Sequence, residues 1–204
     1  MTRNGKIALV LGIIAAIAAG VLLSELVIGS TENRNPGGSS PAAASVGGPF
    51  SLVTHEEQAV TEADFRGRYM LLYFGFTFCP DVCPTELGAM SAAVNLLGED
   101  GAKVTPVLIT IDPERDTPEV LSRYVKLFHP RLVGLTGTPE QIAAAAKAWH
   151  VYYRKVDDEA SSADYTMDHS SIVFLMGPDG EYLKLFRPMT TPEEMASTIR
   201  EHLE

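Results

Sequence analysis

From Ile7 to Ile28 the chain is almost wholly apolar. Wound as a helix, this stretch would rise about 33 Å at ~1.5 Å per residue, enough to cross a hydrocarbon core of ~30 Å. It predicts one transmembrane helix, with residues 1–28 as a short cytoplasmic start and an anchor. Arg3 and Lys6 precede the stretch and Arg34 is the next basic residue, so the positive-inside rule exports the rest of the chain. A cleaved signal peptide is the competing reading, but no small-x-small site comes after Leu23. Glu25, near the far end, falls at the interfacial level. Before Ile7 there is no Arg- and Ser-rich presequence, which favours a bacterial inner membrane, with the domain in the periplasm, over a mitochondrial one.

Residues 29–49 are rich in Gly, Ser, Ala, Asn and Pro and lack hydrophobic periodicity, the composition of a flexible tether. A folded domain is expected over residues 50–204. Within it Tyr69–Phe76, Val104–Ile111 and Ser171–Met176 are short apolar runs, suited to strands covered on both faces. Pro106 weakens the start of the second run. Tyr182–Phe186 comes after a Gly177-Pro-Asp-Gly180 turn and should pair with Ser171–Met176 as a hairpin. Thr117-Pro, Thr138-Pro and Thr191-Pro each offer a threonine cap with proline at the first helical position. Helices are therefore predicted near Pro118–Phe128, Pro139–His150 and Pro192–Leu203, the last with Met195, Ile199 and Leu203 along one stripe. Cys83-Pro84 reads in the same way, with Cys83 at a helix cap and Cys79 in the loop that leaves the strand Tyr69–Phe76. Alternating strands and helices predict an α/β domain with its site at the strand ends.

Charge narrows the partners. After Ile28 the chain carries 14 basic and 25 acidic residues, a formal charge of −11. Phosphate binding needs a basic surface, so nucleic acid is disfavoured. An acidic surface accommodates a basic partner or cations, and as often serves solubility alone.

Cys79 and Cys83 are the only cysteines, too close together to staple an exported domain, so their task is chemical. A helix N-terminus stabilises thiolate, which makes Cys83 the candidate reactive thiol. The pair alone does not separate redox from metal chemistry. Of the histidines, His150 and His202 fall near predicted helix ends, and His55 and His129 fall in loops without a visible partner. His169 differs, because it immediately precedes the strand Ser171–Met176. If that strand runs antiparallel to Tyr69–Phe76, His169 comes toward the two cysteines. Two thiolates and an imidazole favour copper, above all Cu(I); zinc accepts the same donors but usually takes a fourth.

The segments Phe74-Gly-Phe-Thr-Phe-Cys-Pro-Asp-Val-Cys-Pro84, Thr110-Ile-Asp-Pro-Glu-Arg-Asp-Thr-Pro118 and Asp168-His-Ser-Ser171 resemble the signature segments of the Sco/SenC family, over about Phe50 to the C-terminus. The resemblance implies a thioredoxin-like domain, a central mixed sheet flanked by helices. It also implies a copper metallochaperone that assembles the dinuclear copper centre of cytochrome c oxidase, binding Cu(I) or Cu(II). The family's ligands fall on Cys79, Cys83 and His169, and its acidic position falls on Asp112, which would lie at the same rim and orient a ligand or a partner. The oxidase subunit that holds the copper site is the implied partner, with another periplasmic copper chaperone or a thiol reductant beside it.

The acidic stretch Asp157–Asp168 reads as a mobile flap or an idle solvated loop, and Met167 within it as packing rather than ligand. An exported thiol–disulfide oxidoreductase is the rival reading. Such relatives usually have two residues between their cysteines and a proline before the antiparallel strand, whereas here three intervene and Asp168-His-Ser-Ser171 has none. Reducing a partner's cysteines remains compatible as an accessory activity. A peroxidase of the peroxiredoxin kind needs Thr or Ser where Phe76 stands.

Overall fold

The computed structural model describes residues 46–157 and 164–203. The expected anchor and most of the expected tether lie outside them; among the described residues no helix is long and apolar enough to cross a membrane.

Two strands dominate the interior. β3 (Tyr69–Gly75) and β4 (Val104–Thr110) are buried along nearly their whole length, as unbroken apolar runs require when both faces of a sheet are covered. They lie parallel, Tyr69 opposite Val104 and Gly75 opposite Thr110. Pro106 is accommodated inside β4 because the neighbour on its other side, β5 (Val133–Thr136), pairs only from Val107 onward. β8 (Val173–Met176) runs antiparallel to β3, and β9 (Tyr182–Phe186) antiparallel to β8. The far edge is a hairpin of β1 (Ser51–Thr54) and β2 (Ala59–Thr61), with β1 antiparallel to β5. The order is β2-β1-β5-β4-β3-β8-β9, a mixed sheet.

Helix α1 (Val82–Leu96) packs with α4 (Pro192–Leu203), α2 (Pro118–Val125) against β5 and α3 (Pro139–Ala148) against β1. The threonine caps form as expected: Thr117 accepts the N–H of Val120 at 3.4 Å, Thr138 that of Gln141 at 3.3 Å and Thr191 that of Glu194 at 3.2 Å. Helices α2 and α3 stop sooner than the sequence suggests. After α3 the backbone of His150 turns left-handed, at φ 54°, and the N–H of Val151 reaches the carbonyl of Ala146 at 2.8 Å. That closes the helix two residues early, with His150 in the place usually taken by glycine.

Two histidines expected to lack partners have them. His55 accepts the N–H of Gly134 through Nδ1 at 3.1 Å, and buried His129 accepts that of Arg131 at 3.1 Å, so both serve the fold. The stretch expected as a loop, Asp157–Asp168, includes most of β7 (Tyr165–His169), which pairs antiparallel with β6 (Tyr153–Asp157) outside the main sheet, Tyr153 opposite His169.

At the end of the sheet opposite to the cysteines, Gly47 lies so close to Met176 that an added Cβ would stand 2.7 Å from its Cε. Trp149, the only tryptophan, is buried with its ring 6.1 Å from Phe74 and 5.5 Å from Phe174. Truncating Phe174 to Ala removes one wall of this cluster and should cost about 3–5 kcal/mol. Urea unfolding monitored by Trp149 fluorescence should show a lower midpoint at unchanged slope; an unchanged midpoint would contradict this packing.

Candidate metal and thiol centre

The chain leaves β3 at Gly75, and Phe76–Asp81 forms the turn into α1. Asp81 takes the cap, so Cys83 sits at the second helical position rather than at the cap the sequence suggested. Pro84 is thereby third, still among the residues whose N–H groups have no helical acceptor, and its missing donor costs the helix nothing. The first helical bond runs from the N–H of Thr85 to the carbonyl of Asp81 at 3.2 Å.

This two-residue shift exchanges the roles of the two thiols. Cys83 points inward and is fully buried. Its Sγ lies 3.6 Å from the hydroxyl of Tyr73, which donates to it, and 3.5 Å from Nε2 of His169. Cys79 is half-buried, and its sulfur accepts the N–H of Cys83 at 3.4 Å. A hydrogen bond from the Cys83 thiol, with further ones from the N–H groups of Cys83, Asp81 and Val82, lowers the Cys79 pKa to about 5 despite partial burial. Cys83 is pushed up, because its thiol donates a hydrogen bond to the Cys79 sulfur, is buried, and faces that sulfur's charge. The reactive thiol is therefore Cys79, not Cys83: the helix N-terminus acts on the sulfur lying over it, not on the one attached to it.

Glycine is required at position 75 by this arrangement. A Cβ there would stand 2.6 Å from the Tyr73 ring and 3.1 Å from the Cys83 sulfur.

His169 arrives from β7 rather than from a loop before β8. Its Nδ1 lies 3.2 Å from the carbonyl of Ser170, and a carbonyl can only accept, so Nδ1 carries the proton and Nε2 is bare toward Cys83. Burial lowers its pKa and keeps the ring neutral. The rings of Tyr73 and Phe76 meet it nearly edge-on, each at 5.9 Å. Cys79, Cys83 and His169 are thus brought together, and two sulfurs with a bare imidazole nitrogen are a soft donor set. Among the described residues no group of three or more His, Cys, Asp or Glu is already arranged as a metal cage.

The segment after β4 supplies two carboxylates. Asp112 is buried and faces Arg115, with which it forms an ion pair, and the Tyr165 hydroxyl, which donates to it at 2.8 Å. It thereby joins the end of β4 to the β6–β7 pair and stands away from the sulfurs' own contacts. Asp116, passed over in the sequence, accepts the Thr77 N–H at 3.0 Å, the Thr77 hydroxyl at 2.5 Å and the Thr110 hydroxyl at 2.6 Å. It fixes the turn that carries Cys79, and burial raises its pKa. The signal for Tyr73 was available: a tyrosine inside a fully buried strand needs a partner for its hydroxyl.

A mixed sheet with a dithiol at the start of α1 and a histidine brought over it defines a thioredoxin-like α/β domain built around soft ligands. The chain belongs to the SCO1/SenC family, whose model matches residues 38–204. It is 47% identical over 163 residues to the human protein named SCO1 homolog, mitochondrial, covering 78% of this chain and 53% of that one. The Arabidopsis thaliana SCO1 homolog 1, mitochondrial, is 47% identical over 150 residues, 73% of this chain and 44% of that one. The chain thus spans about half the length of these relatives. The solved structure of Arabidopsis thaliana ScoI with copper bound superposes with a TM-score of 0.74 at 40% identity, covering 78% of this chain and 98% of that one. Bradyrhizobium japonicum ScoI with copper bound gives 0.71 at 41%, covering 76% and 98%.

Cys79 should be alkylated ahead of Cys83 in the reduced protein, its rate rising through about pH 5 and then level, whereas an ordinary thiol keeps gaining up to ~8.5. Peptide mass spectrometry after timed iodoacetamide treatment reads this, and faster labelling of Cys83 would reverse the assignment.

Proposed function

We propose that this protein is a membrane-anchored copper carrier that binds copper through Cys79, Cys83 and His169 and delivers it to the dinuclear copper site of cytochrome c oxidase during assembly. The observation that carries the reading is the bare Nε2 of His169, 3.5 Å from the buried Cys83 sulfur, beside a Cys79 held as thiolate. Disulfide exchange requires only the two sulfurs, whereas copper takes sulfur and imidazole together. The copper-bound relatives, at 40% and 41% identity, support the same choice of metal. Asp112 and Asp116 act behind the donors, on the hairpin that brings His169 and on the turn that brings Cys79.

One observation favours an additional thiol–disulfide activity. A partly exposed, low-pKa Cys79 with a buried, protonated Cys83 is the division between attacking and resolving thiols, which suits reduction of a recipient's cysteines before loading. The domain lies on the periplasmic side of a bacterial inner membrane, taking copper from another chaperone there and electrons from a thiol reductant.

Oxidation joins the two sulfurs and removes both thiolates from the donor set. Reduced protein should therefore hold one copper and the oxidised form none tightly, while Cys79→Ala or Cys83→Ala abolishes tight binding and His169→Ala weakens it without preventing the disulfide. Bound copper measured after desalting at equal added metal decides; equal binding by reduced and oxidised wild type would return the oxidoreductase reading to first place.

For the anchor, protease added to spheroplasts should digest the domain from outside. A mature N-terminus beyond Ile28, found by terminal sequencing, would show instead that the apolar segment is a cleaved leader.

A further inference from the structure

The hairpin of β6 and β7 stands outside the main sheet, so something other than sheet hydrogen bonds must hold His169 over the sulfurs. Successive strand side chains alternate between faces, which puts Tyr165, Met167 and His169 on one face of β7. His169, at the inner end, meets Cys83, and Met167, in the middle, packs against the core. Tyr165, at the outer end, donates its hydroxyl to buried Asp112 at 2.8 Å. The guanidinium of Arg115 lies 3.8 Å from the centroid of the Tyr165 ring and 4.8 Å from that of Phe78, the residue before Cys79. It also donates from Nη1 to the Tyr165 carbonyl at 3.0 Å and is ion-paired with Asp112. Lys155 on β6, 3.7 Å from the same tyrosine centroid, is bonded to Glu114 at 2.9 Å. Arg115 thus touches both the turn that carries Cys79 and the strand that carries His169.

We propose that Arg115 and Tyr165 form a clasp that positions His169 against the dithiol, and so set whether copper is held by two sulfurs or by two sulfurs and the imidazole. This rests on the copper-carrier reading. Neither residue touches the donor atoms; they act as positioning residues through β7 and through Phe78. Cu(I) is satisfied by two thiolates, whereas Cu(II) binds better when a nitrogen donor is added, so the clasp bears on Cu(II) far more than on Cu(I). A recipient that loosens it would lower the number of donors on the metal while leaving both sulfurs in place.

The test uses the full-length protein in detergent with Arg115→Met, Tyr165→Leu and the conservative Tyr165→Phe, which keeps the ring over the cation. In the first two, Cu(II) affinity should fall about 10-fold or more, the size of effect seen when groups that orient a metal ligand are removed. The nitrogen coupling of His169 in the Cu(II) electron paramagnetic resonance spectrum should weaken or vanish, and the thiolate absorption should shift. Cu(I) stoichiometry should stay at that of wild type, and Tyr165→Phe should recover most of the nitrogen coupling. A copper-free measurement accompanies these. Hydrogen exchange of reduced apoprotein should speed up in peptides covering β6 and β7 and stay unchanged in α1. Wild-type nitrogen coupling and Cu(II) affinity in both Arg115→Met and Tyr165→Leu would overturn the clasp, as would equal loss of Cu(I) and Cu(II) together with faster exchange in α1. Should wild type bind no copper, the carrier reading falls, and the hairpin exchange still decides whether the clasp positions His169.

Discussion

Cys83 carries its sulfur out of solvent altogether, and the contacts that a buried sulfur requires constrain the chain on three sides. Beneath it, β3 has to present the Tyr73 hydroxyl and then a residue without a side chain, Gly75. Across from it, β8 has to run antiparallel to β3, so that the segment before Val173 delivers His169 to the same end of the sheet. Above it, the helix can begin no later than Val82, which leaves its free N–H groups to the second sulfur. The two thiols thereby acquire opposite characters from a single geometry, one charged near the surface and one protonated inside.

Two carboxylates on the same short connection divide the support between them. Asp116 ties the turn of Cys79 to the end of β4 through Thr77 and Thr110, and Asp112 ties the hairpin of His169 to the same place through Tyr165. The connection between β4 and α2 thus works as a shared base for two donor-bearing segments that have no sheet bonds to each other. Burial makes these carboxylates expensive to leave unpaired, which is why each is filled by hydrogen bonds or by a cation.

Much of the frame was legible in the sequence, because β3, β4 and β8 are short, mostly apolar runs and three helices begin at Thr-Pro. The family segments also pointed to Cys79, Cys83 and His169, which the fold does bring together. The parts that were not legible have local causes. β5 is four residues with a glycine inside, too short and weak a signal against its surroundings, and it is held by its parallel partner β4. β7 alternates Tyr165, Met167 and His169 with polar residues, a period of two that an acidic context disguised as loop. The exchange of roles between the thiols turned on two residues of helix register, below what capping patterns resolve.

The close approach of Gly47 to Met176 fixes where the polypeptide joins the domain. Met176 is paired with Met70 near the start of β3, and the sulfurs lie beyond its last residue, Gly75. At ~3.3 Å per residue the intervening strand separates the two by roughly 17 Å. Gly47 therefore stands at one end of the β3–β8 pair and the two sulfurs at the other, with the length of a strand between them. A load applied at Gly47 is therefore borne by β8 and β3 before it reaches the donors.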